Sequence, residues 1–134
     1  VMIDVDHFKK VNDRYGHPVG DRVLLSLSAH LRRRLRQSDT IGRYGGEEFA
    51  VLLEGLPRDE ALRQVDRVRE GFPTIEHPLG DGSTFRCTFS AGIAMLGRGA
   101  EIEDWKQAAD EALYAAKAAG RNNVVAETAG AGRA

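Results

Sequence analysis

Arg43-Tyr44-Gly45-Gly46-Glu47-Glu48-Phe49 lies between two apolar runs, Thr40-Ile41 before it and Phe49-Ala50-Val51-Leu52-Leu53 after it. Gly-Gly favours the centre of a tight hairpin, because both residues take φ > 0 without steric penalty. The stretch therefore predicts strand, tight turn, strand. Two carboxylates, Glu47 and Glu48, sit at its tip. Adjacent side chains on a strand point to opposite faces, so the two acids address different things or one of them is structural. A hairpin tip with free backbone N–H groups and acids suits a hard cation and the phosphates around it. A merely solvated polar turn is the alternative.

Working outward, Val1 to Val5 is a short apolar run with β-branched residues, read as a buried strand that opens without a preceding cap or turn. It ends in Asp4-Val5-Asp6 and leads into His7-Phe8-Lys9-Lys10. Acids beyond a strand end draw notice, because ligands of open α/β sheets bind there. Val11 to Asp21 reads as a long polar loop, with Asp21 a possible N-cap for the helix that follows. That helix runs from about Asp21 to Arg36, with Leu24, Leu27, Leu31 and Leu35 on one face and Arg32-Arg33-Arg34 solvated. Ser38-Asp39 leads into the hairpin.

Downstream, Ala61, Leu62, Val65, Val68 and Phe72 repeat at helical spacing after Pro57. Gly80-Asp81-Gly82-Ser83 signals a turn. From Thr84 to Met95 one long strand is expected, with Phe85, Cys87, Phe89, Ala91, Ile93 and Met95 on one face; Gly92 allows a bulge or close approach. A last helix spans about Ile102 to Ala119, with Trp105, Ala108, Ala109, Ala112, Leu113 and Ala116 inward and Gly120 as its cap. Asn122 to Ala126 forms an edge strand. The order β-α-β-β-α-β-α-β, with a short hairpin before the long strand, predicts an α+β fold: a ferredoxin-like, polymerase-palm-like βαββαβ core, its mostly antiparallel sheet packed with helices.

The bulk properties set bounds. One domain is expected from 134 residues, and a net charge of −1 argues against a general nucleic-acid surface. No apolar run reaches membrane-spanning length, so no membrane contact is expected from this domain. The single cysteine, Cys87, fits a reducing compartment and reads as a small buried hydrophobe.

Three separated blocks share one pattern. They are Asp4-Val5-Asp6-His7-Phe8-Lys9 with Asn12 and Gly16 to Asp21; Arg43 to Phe49; and Ala109-Asp110-Glu111-Ala112-Leu113-Tyr114 with Lys117 and Gly120-Arg121-Asn122. In this order and spacing they closely resemble the GGDEF domain of diguanylate cyclases, here as a GGEEF variant. The resemblance implies condensation of two GTP to cyclic di-GMP with release of two pyrophosphates, by a homodimer using Mg²⁺ or Mn²⁺. It implies Asp4 and Glu47 as metal carboxylates with the Val5 carbonyl as a third ligand, and Glu48 as a second acid serving a metal or the 3′-hydroxyl. Asn12 and Asp21 resemble the guanine readers, and a carboxylate and a carboxamide match guanine's donor edge. Backbone N–H groups around His7, Phe8 and Lys9 would cradle phosphates, with Lys9, Lys117 and Arg121 countering their charge. Lys117 and Arg121 read without the family are two solvated cations at a helix end. Asp110 is expected to orient its helix, Tyr114 to pack, and His7 and His17 to be turn and loop residues.

The family also carries a product-inhibition site at an Arg-x-x-Asp, matched here by Arg36 and Asp39, with Arg67 as a second basic contact. A helix C-terminus closed by Arg36 and Asp39 is the plain alternative. The family begins with a helix and a motif like Asp-x-Leu-Thr-Gly-Leu-x-Asn-Arg, which is missing here. The domain is thus expected to span residues 1–126, incomplete at its N-terminus, with a flexible tail over 127–134. A sensor or receiver domain elsewhere in a longer, cytoplasmic or membrane-anchored chain is implied. The competing function is a module that binds GTP or cyclic di-GMP without turnover.

Overall fold

Val1, Ile3 and Val5 bury against one layer of helices while Met2 and Asp4 face the other, so the first strand is buried on both sides. This strand, β1 (Met2–Val5), is the centre of the sheet in a computed structural model that describes residues 1–97 and 99–127. The elements after it are α1 (Phe8–Tyr15), α2 (His17–Arg34), β2 (Thr40–Arg43), β3 (Glu48–Leu52), α3 (Arg58–Gly71), a 3₁₀ turn (Phe72–Thr74), β4 (His77–Pro78), β5 (Thr84–Phe85), β6 (Phe89–Ile93), α4 (Ile102–Ala118) and β7 (Val124–Ala126). The five-stranded sheet has the order β2-β3-β1-β6-β7; only β6 and β7 run parallel. β4 and β5 make a separate hairpin. This is the expected mostly antiparallel α+β architecture.

One face of the sheet carries the main core. Ile3, Val5, Phe49, Val51, Phe89, Ala91 and Ile93 meet Val23, Leu24, Leu27 and Leu31 of α2 and Val65 and Val68 of α3. Each fully buried side chain of this size contributes about 1.5–3 kcal/mol. The other face takes α4 at very close range. A Cβ on Gly92 would stand 2.2 Å from the Leu113 backbone nitrogen and 2.3 Å from the Ala109 carbonyl oxygen. Gly92 and the small Ala108, Ala109 and Ala112 therefore let a helix backbone rest directly on β6. Close approach, rather than a bulge, is the role of this glycine.

Several local expectations change. Residues 11–21 are helical, not a loop: α1 and α2 are divided only at Gly16, whose φ of 93° a side chain would strain. Asp21 lies inside α2, so it does not cap it; Gly16 holds the N-cap position. α2 stops at Arg34, two residues before Arg36. The expected long strand is broken after Phe85, and β6 is buried on both faces because α4 covers Ser90 and Gly92. Tyr114, expected to pack, is 74% exposed. Gly45 and Gly46 are not among the glycines with positive φ, and residues 44–47 form a wider turn in which the Tyr44 N–H donates to the Glu48 carbonyl at 2.8 Å. Glu127 still belongs to the sheet edge: its N–H donates to the Ile93 carbonyl at 2.8 Å. The tail expected beyond it lies outside the described residues.

Candidate active site

The pairing register brings the first two blocks together. Asp4 lies directly opposite Glu48 across β1 and β3, so both side chains share the face that α4 covers. Glu47 stands one residue earlier, in the turn. From α4, the ammonium of Lys117 donates to Asp4 Oδ2. Asp4 is 4% exposed, and its other oxygen, Oδ1, is buried without a hydrogen-bond partner.

The electrostatics are those of crowded anions. Burial pushes the Asp4 carboxyl above its ordinary range, opposed by the Lys117 hydrogen bond. Burial and then the Asp4 charge also raise Glu47 and Glu48. One strong cationic contact for three carboxylates leaves negative charge in excess. Among the described residues, no three acidic, imidazole or thiol side chains gather where they could hold a metal by themselves. Two carboxylates with a backbone carbonyl are instead the sparse oxygen set that Mg²⁺ accepts when water and substrate phosphates complete its shell. The unpartnered Asp4 Oδ1 fits that set.

The phosphate side is built by the step from β1 into α1. His7 adopts φ 56°, a left-handed conformation that turns the chain so α1 starts at Phe8. Phe8 is buried and anchors the first turn; Lys9 and His7 are exposed. No side chain caps this N-terminus and no acid stands in its first turn. Its first-turn N–H groups thus have no side-chain cap at the positive end of the helix dipole, the arrangement that receives anions.

Asn12 of α1 lies against Gly20 of α2, the residue before Asp21. A Cβ on Gly20 would lie 1.9 Å from Asn12 Oδ1, so the absence of a side chain at Gly20 admits the carboxamide. Asn12 Oδ1 is buried and has no hydrogen-bond partner. Asp21 follows Gly20 directly and is exposed.

Three supports were missed by sequence reasoning. The Arg43 guanidinium donates to the Gly46 carbonyl at 2.5 and 3.1 Å and braces the turn. Lys106 of α4 lies 4.7 Å from the centre of the Tyr44 ring and 3.3 Å from Asp110. Tyr44 and Asp110 raise the Lys106 ammonium to about 12. The helical spacing of Lys106, Asp110 and Lys117 signalled a shared face, but nothing in the sequence paired it with the hairpin.

A family profile described as "Diguanylate cyclase, GGDEF domain" matches residues 1–123. The chain belongs to the GGDEF domain family. This domain is 45% identical over 123 residues to "Probable diguanylate cyclase DgcC" of Escherichia coli K12, a match covering 91% of this chain and 33% of that protein. The chain thus spans about a third of that relative. Among solved structures, it resembles the GGDEF domain of DgcB from Caulobacter crescentus in complex with c-di-GMP, with TM-score 0.88, 31% identity, and coverage of 93% of this chain and 74% of that one. It also resembles the active GGEEF domain of a diguanylate cyclase from Vibrio cholerae, with TM-score 0.83, 34% identity, and coverage of 95% and 80%. These likenesses confirm the palm-like fold expected from the element order. Among the described residues no helix is long and apolar enough to cross a membrane.

The Arg36–Asp39 pair lies away from this cluster, between α2 and β2. Asp39 accepts from the Arg36 guanidinium at 2.8 and 3.3 Å and from the Arg36 N–H at 2.8 Å. Arg36 also donates to the Glu54 carbonyl at 2.7 Å. Arg67 is exposed on α3.

Proposed function

We propose that this GGDEF domain condenses two GTP into cyclic di-GMP and two pyrophosphates. The observation that carries the reading is Asp4: a buried carboxylate with one oxygen unpartnered, beside two acids whose own carboxyls are pushed up. A fold keeps such a cluster at a cost, and perturbed carboxylates of this kind mark functional sites. Asp4, Glu47 and the Val5 carbonyl would hold Mg²⁺ or Mn²⁺, which neutralises triphosphate charge and stabilises the attacking and leaving oxygens.

The protein's own groups then have distinct tasks. The uncapped N-terminus of α1, with Lys9, Lys117 and Arg121, receives the triphosphate. Asn12 and Asp21 read guanine through its N1–H and N2–H₂ donors and its O6 acceptor. Glu48, with its acidity weakened by burial and by Asp4, takes the proton of the attacking 3′-hydroxyl. The 3′-oxygen forms a bond to the α-phosphorus, the bond to the bridging oxygen breaks, and pyrophosphate leaves. The same exchange repeated in the other direction closes the ring.

One chain offers one such half-site, so two chains must face each other across a two-fold axis. We read Arg36, Asp39 and Arg67 as a product-inhibition site; what supports a cyclic di-GMP ligand is that a relative of this fold, the GGDEF domain of DgcB, is in complex with c-di-GMP. A sensor or receiver domain in a longer chain governs the encounter of the half-sites. The test is incubation of GTP with Mg²⁺ at rising protein concentration, with product analysis. Cyclic di-GMP whose specific rate climbs with concentration and then saturates is expected. GTP binding without product would favour the nucleotide-binding module; a constant specific rate from a proven monomer would refute the dimer.

A further inference from the structure

Asp6 belongs to the same Asp-Val-Asp as Asp4, yet faces the opposite direction in chemical terms. It is 5% exposed and fully engaged by protein donors. Ser90 Oγ donates to its Oδ1 at 2.6 Å, and Thr88 Oγ1 donates to its Oδ2 at 2.6 Å. The third donor is the Asn122 backbone N–H, at 2.9 Å from Oδ2 and 116 residues away in sequence. Asp6 thus joins the end of β1 to β6 and to the turn between α4 and β7.

That turn is strained. Gly120 has φ 117°, and the next two residues, Arg121 and Asn122, are non-glycine residues at φ 64° and 47°. Consecutive left-handed residues with side chains persist only where their surroundings over-determine them. A Schellman-type cap holds one end: the Arg121 N–H donates to the Ala116 carbonyl at 3.1 Å and the Gly120 N–H to the Lys117 carbonyl at 3.2 Å. Arg69 of α3 holds the Asn122 side chain at 2.8 Å. Asp6 holds its backbone. Arg121 lies between these holds, exposed, and near enough for its charge to act on Asp4.

We propose that Asp6 is a positioning residue for nucleotide binding: its carboxylate fixes the Gly120–Asn122 turn so that the Arg121 guanidinium faces the triphosphate. This rests on the reading that Arg121 meets GTP. A charged acceptor strengthens the three hydrogen bonds, and an amide in its place offers one oxygen where the carboxylate offers two.

The test is a double-mutant cycle on GTP affinity, measured by calorimetry with Mg²⁺ and 3′-deoxy-GTP, which lacks the attacking hydroxyl, on wild type, Asp6→Asn, Arg121→Ala and the pair, with a thermal melt on each. Asp6→Asn is expected to weaken GTP by about tenfold, and to weaken it by less than about twofold where Arg121 is already alanine. Asn122→Ala is the second variant, serving if Asp6→Asn does not fold. It leaves Asp6 intact but removes the Arg69 bond to the Asn122 side chain, sparing the longer one to its carbonyl at 3.3 Å, and removes the left-handed tolerance of Asn; it should show the same dependence on Arg121. A merely structural carboxylate would lower the melting temperature without that dependence. An unchanged affinity in both variants, or a loss of equal size with and without Arg121, overturns the proposal. If Arg121→Ala alone leaves GTP affinity unchanged, the reading of Arg121 fails and the proposal falls with it. Binding is measured apart from turnover, so a lack of cyclic product counts only against the cyclase reading.

Discussion

Two acidic sites in this domain are built in opposite ways. At the end of β1, Asp4, Glu47 and Glu48 crowd together with raised carboxyls, and Asp4 keeps a buried oxygen unpaired. Between α2 and β2, Asp39 has no exposed side chain, and the Arg36 guanidinium and N–H satisfy it. The first site has more negative charge than its own residues neutralise, so a cation and phosphates can enter without displacing a protein bond other than that of Lys117. The second is closed on itself. A ligand there must take Arg36 from Asp39 and from the Glu54 carbonyl, trading existing hydrogen bonds for new ones. Unsatisfied polarity favours tight, obligatory binding; a satisfied pair suits a weaker, regulatory exchange.

The contrast can be broken most sharply at Glu47. Glu47→Gln removes the charge while keeping the shape, and should lower turnover by at least about a hundredfold in an active dimer. The thermal melt should hold or rise, because a crowded anion has been relieved. Wild-type turnover would show that the crowded site is not catalytic.

The closed pair is probed by Arg36→Ala. Cyclic di-GMP affinity should fall by about tenfold or more, with GTP turnover preserved in the absence of product. Equal affinity in variant and wild type would remove Arg36 from the proposed product site.

A finer test uses Lys106, whose positive charge lowers the raised Glu48 carboxyl. Lys106→Met removes that charge and the contact with Tyr44. The Glu48 carboxyl should then rise further, so the acidic limb of the pH–rate profile should move to higher pH. An unmoved limb would separate Glu48 from the rate-determining proton.

The smallest effect lies in stability against pH, where the acids and the buried histidines have opposite signs. Asp4, Glu47 and Glu48 are raised in the folded state, so their contribution is fully present below their ordinary values of 3.8, 4.5 and 4.5 and is lost as pH rises through the folded ones. His30 and His77 are lowered from 6.5, chiefly by burial, so their contribution is present above 6.5 and is lost as pH falls through their folded values. Melts from neutral to mildly acid pH should therefore show a gain from the carboxylates set against a loss from the histidines. Glu47→Gln should remove part of the gain, and His77→Phe part of the loss. Neither variant changing the slope would refute these assignments.

The regular elements were readable because their periodicity carries the burial pattern. The α4 positions Trp105, Ala108, Ala109, Ala112, Leu113 and Ala116 are all buried as spacing required. Only Phe8 and Val11 are buried in α1, so its sequence reads as polar loop; packing against α2 stabilises it as a helix. Alternation assigned the faces of β6 but not their depth: α4 buries Ser90 and Gly92 on the second face, and only the glycine signalled a close approach. The Gly-Gly signal located the turn but not its form, since the bracing of Gly46 by Arg43 is not a feature of local propensity.

By itself the sequence determined the identity and order of the motifs, hence the family, because residue types at fixed separations are a linear property. It also determined which acids, amides and cations were available to chemistry. Tertiary structure alone decided which of them meet. The register that sets Asp4 opposite Glu48, the helix packing that brings Lys117 to Asp4, and the capture of Asn122 by Asp6 join residues that are 44, 113 and 116 positions apart. Contacts of that separation depend on how β1, β3 and α4 stack, and on how Gly92 lets α4 descend onto the sheet, so no local pattern encodes them.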